Sequence, residues 1–123
     1  MMKALLIVLI LMANMVILPN AMAEEKIYHV AKVTAIINDT EKYSGCMLRL
    51  EPTFQGLSSC PRKDFVSLDC DGQVINSRAS ASQLLNAAQL SFVADLNVRL
   101  RITENTVDGF CIADYVRIDK PKD

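Results

Sequence analysis

S-A-S-Q-L-L-N-A-A-Q-L-S-F-V-A-D-L, residues Ser80–Leu96, is the stretch on which the reading of this chain turns. Leu84, Leu85, Ala88, Phe92 and Leu96 recur at the i, i+3, i+4 spacing that lines up one face of an α-helix, and they form its expected core stripe. Ser80 or Ser82 offers an N-cap hydroxyl for the first turn. Ala87, Leu90, Val93 and Ala94 make a second apolar strip to one side. A deeply seated helix accounts for so wide an arc, and a subunit interface is the sharper alternative. Beyond the N-terminal segment, no other stretch reads as a convincing helix.

On both sides of this helix the period changes to two. Upstream, Ile27–Ile37 alternates through Ala31, Val33, Ala35 and Ile37 and reads as a first strand with apolar residues on both faces. Cys46–Glu51 is the second strand, with Cys46, Leu48 and Leu50 inward and Met47, Arg49 and Glu51 outward. A long connection over 52–63, punctuated by Pro52, Gly56 and Pro61, leads to a third strand, Phe65–Cys70. There Val66, Leu68 and Cys70 face in, and Phe65, Ser67 and Asp69 face out. Asp71-Gly72 turns the chain before an ambiguous segment, 73–78. Downstream, Val98–Thr103 alternates cleanly, with Arg99 and Arg101 outward as charges that guard a strand against edge pairing. An Asp108-Gly109 turn precedes the last strand, Phe110–Ile118, whose alternation slips near Asp114, where a β-bulge is expected.

The order β-β-β-α-β-β, with one helix between the third and fourth strands, is that of the OB fold, a five-stranded Greek-key barrel. The expected fold is therefore mainly β with one helix, an OB-like barrel occupying residues 24–123 as a single domain.

The N-terminus sets the expected compartment. Met1-Met2-Lys3 is a short basic head, Ala4 to Leu18 is apolar except for Asn14, and Ala21-Met22-Ala23 is an A-x-A cleavage signal. Residues 1–23 therefore read as a secretory signal peptide. An apolar run of about 15 residues falls short of the roughly 20 needed to span a bilayer. The expected location is periplasmic or secreted, with no membrane span after cleavage. The remaining 100 residues carry 12 basic against 14 acidic side chains, a balance that argues against nucleic acid as partner.

All four cysteines (Cys46, Cys60, Cys70, Cys111) follow the leader, and an even count in a small exported domain reads as two disulfides. If the second and third strands are antiparallel, the midpoint of their connection falls near residue 58, and Cys46 lies opposite Cys70. Cys60–Cys111 is then the second bridge. The pairing 46–60 with 70–111 ranks next. A metal site is disfavoured, since no C-x-x-C pair occurs and the single histidine, His29, is distant in sequence.

Beyond the order of elements, G-C-M-L-R-L (45–50), F-V-S-L-D-C (65–70), Q-L-L-N-A-A-Q-L (83–90), V-R-L-R-I (98–102) and G-F-C-I-A (109–113) carry a resemblance over most of the chain. Their layout resembles small exported, disulfide-bonded OB-like proteins of Gram-negative bacteria that have no known function. More distantly it is similar to the B-subunits of AB5 toxins of the subtilase-cytotoxin type. That second resemblance implies a subunit that assembles through its helices and binds sialylated glycans. No pocket residue of that family maps onto a position here.

No G-x-S-x-G, H-E-x-x-H, Walker or G-x-G-x-x-G pattern occurs, so no catalytic residue or cofactor is assigned and the chain reads as non-enzymatic. Asp69-Cys70-Asp71-Gly72 faintly resembles a calcium loop but lacks the further ligands. His29, early in the first strand, reads as an edge or surface residue. The expected ligand surface is the outer face of the second and third strands: Met47, Arg49, Phe65, Ser67 and Asp69. Phe65 offers a stacking ring and Arg49 a guanidinium for an acidic group. The partner expected there is a glycan, a peptide or a protein. Ala87, Leu90, Val93 and Ala94 are the expected interface of a homo-oligomer.

Overall fold

A computed structural model describes residues 24–121 of the chain. The expected leader, residues 1–23, lies outside them. Five strands, β1 (Lys26–Asn38), β2 (Cys46–Glu51), β3 (Phe65–Ser67), β4 (Asn97–Val107) and β5 (Phe110–Ile118), form a closed barrel in the order β1-β2-β3-β5-β4. One helix, α1 (Arg78–Ala94), lies between β3 and β4. All neighbouring strands are antiparallel except β3 and β5, which pair in parallel through Ser67 and Ile112. This is the OB-like Greek key expected from the order of elements.

The period-two patterns become the barrel interior. Ala31, Val33, Leu48, Leu50, Val66, Val98, Leu100, Ile102 and Ala113 all lie in one buried cluster. The connection over 52–64 also contributes, because Phe54, Leu57 and Cys60 fold back into that cluster. A connection of this length rarely stays structureless in a small domain. Lys63 Nζ helps to hold it by donating to the Gly56 and Leu57 carbonyls.

Both disulfides are those of the first-ranked pairing. Cys46–Cys70 has a Cα separation of 5.7 Å and Cys60–Cys111 one of 5.5 Å. The bulge expected in β5 is also present. Arg101 pairs with Tyr115 and Ile102 with Ala113, which leaves Asp114 as the extra residue. Freed from the ladder's alternation, its carboxylate accepts from Arg101 and Lys26. Burial alone would push its pKa up, but those two cations outweigh it and hold the carboxyl below its ordinary value.

Helix α1 starts and stops two residues earlier than expected. Ser77 is the N-cap, its hydroxyl oxygen accepting from the Ser80 amide, and Asp95 closes the C-terminus in a left-handed conformation. The buried face runs through Ala81, Ala88 and Ser91, with Leu84 and Leu85 half-buried against the core. Phe92 is half in solvent rather than in the stripe. Small residues on the buried face let the helix axis approach the sheet closely. Ser91 can take such a place because its hydroxyl donates to the Ala88 carbonyl of the same helix.

Two further expectations are corrected by the topology. Strand β3 stops at Ser67 rather than Cys70, because Asp69 turns the chain with a φ of 55°. Arg99 and Arg101 guard no edge, since β4 is paired on both sides, to β1 and to β5. His29 is at a strand edge, as expected: it pairs with Leu100 of β4, and the β1–β2 ladder begins only at Lys32. Its ring is half-buried, with Nε2–H donating to the Pro52 carbonyl at 2.7 Å.

Candidate functional site

The outer face of β2 and β3 is the place to test the expected ligand surface, and it divides in two. Arg49 is exposed and Phe65 half-exposed, and they are cross-strand partners on that face. Met47, Ser67 and Asp69 are buried, so they are no part of a solvent-facing surface. The reason is a covering turn. The chain before β2 passes through Tyr43, Ser44 and Gly45 with φ values of 61°, 49° and 92°, which folds it over the β2–β3 sheet. Ser67 Oγ donates to the Tyr43 carbonyl beneath that turn, and Met47, its cross-strand partner, is buried beside it. Gly45 is required there. A Cβ at that position would stand 2.8 Å from Asp71 Oδ1.

Asp69 is buried for a different purpose. Its Oδ1 accepts from Ser44 Oγ at 2.6 Å and from the Gln73 amide at 3.0 Å. Oδ2 accepts from the amides of Val74, Ile75 and Asn76 at 3.0, 2.8 and 2.9 Å. The segment that was ambiguous in sequence is thus wound around one carboxylate. Asn76 completes the tie by donating from Nδ2 to the carbonyls of Leu68 and Ala113. Burial by itself would raise the Asp69 pKa, but the Ser44 hydroxyl and the amides of Asn76, Ile75 and Val74 outweigh it and hold it below the ordinary value. With both oxygens occupied, the Asp69–Gly72 segment is a structural turn and not a cation loop. Among the described residues no group of three His, Cys, Asp or Glu is placed to hold a metal ion.

What gathers around Arg49 and Phe65 is an aromatic cluster. Phe110, at the start of β5, meets Phe65 edge-on with ring centroids 6.1 Å apart. Tyr43, from the covering turn, meets Phe110 edge-on at 5.3 Å. The Arg62 guanidinium lies 5.3 Å from the Phe65 centroid and 6.0 Å from that of Phe110. Arg62 also makes a two-pronged ion pair with Asp64, whose carboxyl it holds below its ordinary pKa. The β1–β2 and β4–β5 connections are tied together at the rim of the cluster, where the Tyr43 amide donates to Asp108 Oδ2 at 2.7 Å. Edge-to-face rings have constrained orientations, and the Asp64 pair fixes the Arg62 guanidinium through its Nε and Nη2.

The surface chemistry of the cluster is aromatic and cationic. The cluster offers half-exposed ring surface, two guanidiniums and one carboxylate already paired, with no imidazole or free thiol beside them. Sequence reasoning found Arg49 and Phe65 and missed Tyr43, Arg62 and Phe110. The signal available was positional. Tyr43 and Phe110 are aromatic residues at the inner ends of the β1–β2 and β4–β5 connections, which meet at this face in an OB-like barrel.

The expected helix interface stands as a separate surface. Leu90 is 61% and Val93 82% exposed, Ala94 is exposed, and Ala87 is half-buried. Among the described residues no helix is long and apolar enough to cross a membrane. No protein-family model, no curated protein and no solved structure matches the chain.

Proposed function

We propose that the chain is an exported, non-enzymatic binding module that takes a glycan, a peptide or a segment of a partner protein on the β2–β3 face. The residues that carry binding are Arg49, Arg62, Phe65, Phe110 and Tyr43. The observation behind this reading is the gathering of three edge-packed rings, two of them under the Arg62 guanidinium, at the meeting point of two loops, with Arg49 across the strand from Phe65. Apolar ring surface kept half in water serves a partner better than it serves the fold. Two disulfides fit an oxidising compartment, periplasmic or extracellular.

The test is a screen of the labelled, oxidised protein against a glycan array and a random-peptide library, repeated with Phe65→Ala and Arg49→Ala. Each substitution is expected to weaken the bound ligand at least tenfold, about 1.4 kcal/mol, with the near-ultraviolet circular dichroism unchanged. Ligands that bind both variants as tightly as the parent would remove this face from consideration.

A second reading rests on the exposure of Leu90 and Val93. In it the chain is an assembly subunit that buries this strip of α1 against a copy of itself, as the toxin-subunit resemblance implies. Light scattering at tens of micromolar is expected to give an oligomer that Val93→Asp dissociates. A strict monomer at that concentration rejects the assembly.

A further inference from the structure

The outer face of β1, β4 and β5 has a composition that the fold does not require. Arg99 on β4 and Arg117 on β5 are direct cross-strand partners, and both point outward because their neighbours Val98, Leu100, Val116 and Ile118 point toward the core. Like charges directly opposite one another on a sheet destabilise it. Arg117 is neutralised by Asp119, whereas Arg99 has no carboxylate partner among the described residues and lies instead over the Tyr28 ring, 4.8 Å from its centroid. The same row continues to Val30, the β1 partner of Arg99. Tyr28 and Val30 are 54% and 55% exposed.

This row borders a cleft of about 390 Å³ lined by Val30, Lys32, Asn97, Asp119 and Lys120, among others. Around the junction stand four cations, Arg99, Arg117, Lys32 and Lys120. Three carboxylates face them: Asp119 on Arg117, Asp95 on Lys32, and Glu51, the β2 cross-strand partner of Lys32. The positive excess that remains, in a chain of net charge −1, centres on Arg99, which has no carboxylate partner among the described residues.

We propose that this junction is a binding site for a phosphate monoester, seated between the guanidiniums of Arg99 and Arg117. The ligand's apolar part rests on Tyr28 and Val30. A phosphate monoester carries about −1.5 to −2 charges at neutral pH and three acceptor oxygens, enough to accept from two cross-strand guanidiniums at once. The planar fork of Arg99 grips such an oxyanion with paired N–H donors, and Arg117, whose Nε and Nη2 donate to Asp119, adds its remaining N–H groups. The ring beneath Arg99 holds that fork in place before the ligand arrives.

Isothermal titration calorimetry of the oxidised protein with phenyl phosphate, and co-sedimentation with phosphatidylcholine vesicles with and without phosphatidic acid, separate the two sources of such a group. Binding of phenyl phosphate identifies a soluble ester, and binding of only the phosphatidic-acid vesicles identifies a lipid headgroup. Either supports the site, provided that Arg99→Gln and Arg117→Gln each weaken it at least tenfold while Lys42→Gln, on the β1–β2 connection, leaves it unchanged. Arg117 is exposed, so its variant tests the site even if loss of the Arg99–Tyr28 contact disturbs the sheet. Failure to bind either probe at millimolar concentration, equal binding by both arginine variants, or acetate bound as tightly as phenyl phosphate would overturn the proposal.

Discussion

Asp69→Asn is expected to lower the unfolding free energy by roughly 3–5 kcal/mol, measured by guanidinium denaturation of the oxidised protein at neutral pH. The substitution preserves shape, and asparagine accepts the left-handed backbone as readily as aspartate does. The loss therefore comes from hydrogen bonding alone. Two carboxylate oxygens accept from one hydroxyl and four amides in a fully buried place. An amide NH2 in place of one oxygen sets donor against donor and removes the charge that strengthens the rest. In a domain of this size such a loss lowers Tm by at least about 12 °C. A change below about 1 kcal/mol would mean that the 73–76 segment is held by something else.

The same carboxylate has a pH signature. Its pKa is depressed in the folded state, so the unfolded chain binds more protons over the interval between the two values. Its stabilisation is full above the unfolded value, about 3.9, and is lost as the pH falls through the folded one. Asp114, depressed by Arg101 and Lys26 against the effect of burial, acts in the same direction. The parent protein should thus lose stability steeply below about pH 4, and Asp69→Asn should flatten that slope.

Removing the Cys60–Cys111 bridge as the paired alanine variant is expected to cost about 4 kcal/mol, and removing Cys46–Cys70 about 3 kcal/mol, on the chain-entropy estimate. The order follows from the sequence separations, 51 and 24 residues. Against the 5–15 kcal/mol total typical of folded domains, either loss is large. Reduction of both bridges is expected to unfold the chain at 37 °C. Equilibrium denaturation of the two paired variants checks the order. A reversed order would show that Cys46–Cys70 acts mainly on the native state, where it adjoins the Ser44–Asp69 tie.

How far the sequence could be read depended on the range of the physics involved. Strands β2 and β5 match their expected limits to the residue, since alternation of apolar side chains is a local property of the chain. The β5 bulge was equally legible, because Asp114 breaks the alternation within its own strand. The Cys46–Cys70 pairing followed from counting along one connection. The candidate site was only half legible. Arg49 and Phe65 project from adjacent strands of known alternation. Tyr43, Arg62 and Phe110 come from three segments whose meeting depends on how the barrel closes.

By itself, then, the sequence determined the mainly β class, the place of the single helix, the inward faces and the disulfide framework. The first three rest on periodicity within a short run, and the disulfides on an even cysteine count and on spacing along the β2–β3 connection. Only the tertiary structure decided which outward residues stay in water. The 43–45 turn closes over Ser67, and Met47 is buried beside it. Five donors enclose Asp69, and Arg99 is set against Arg117 across two strands. Alternation states which side of a strand a residue faces. Whether that side is wet, covered or charged depends on residues tens of positions away, and contacts at that range leave no period in the chain.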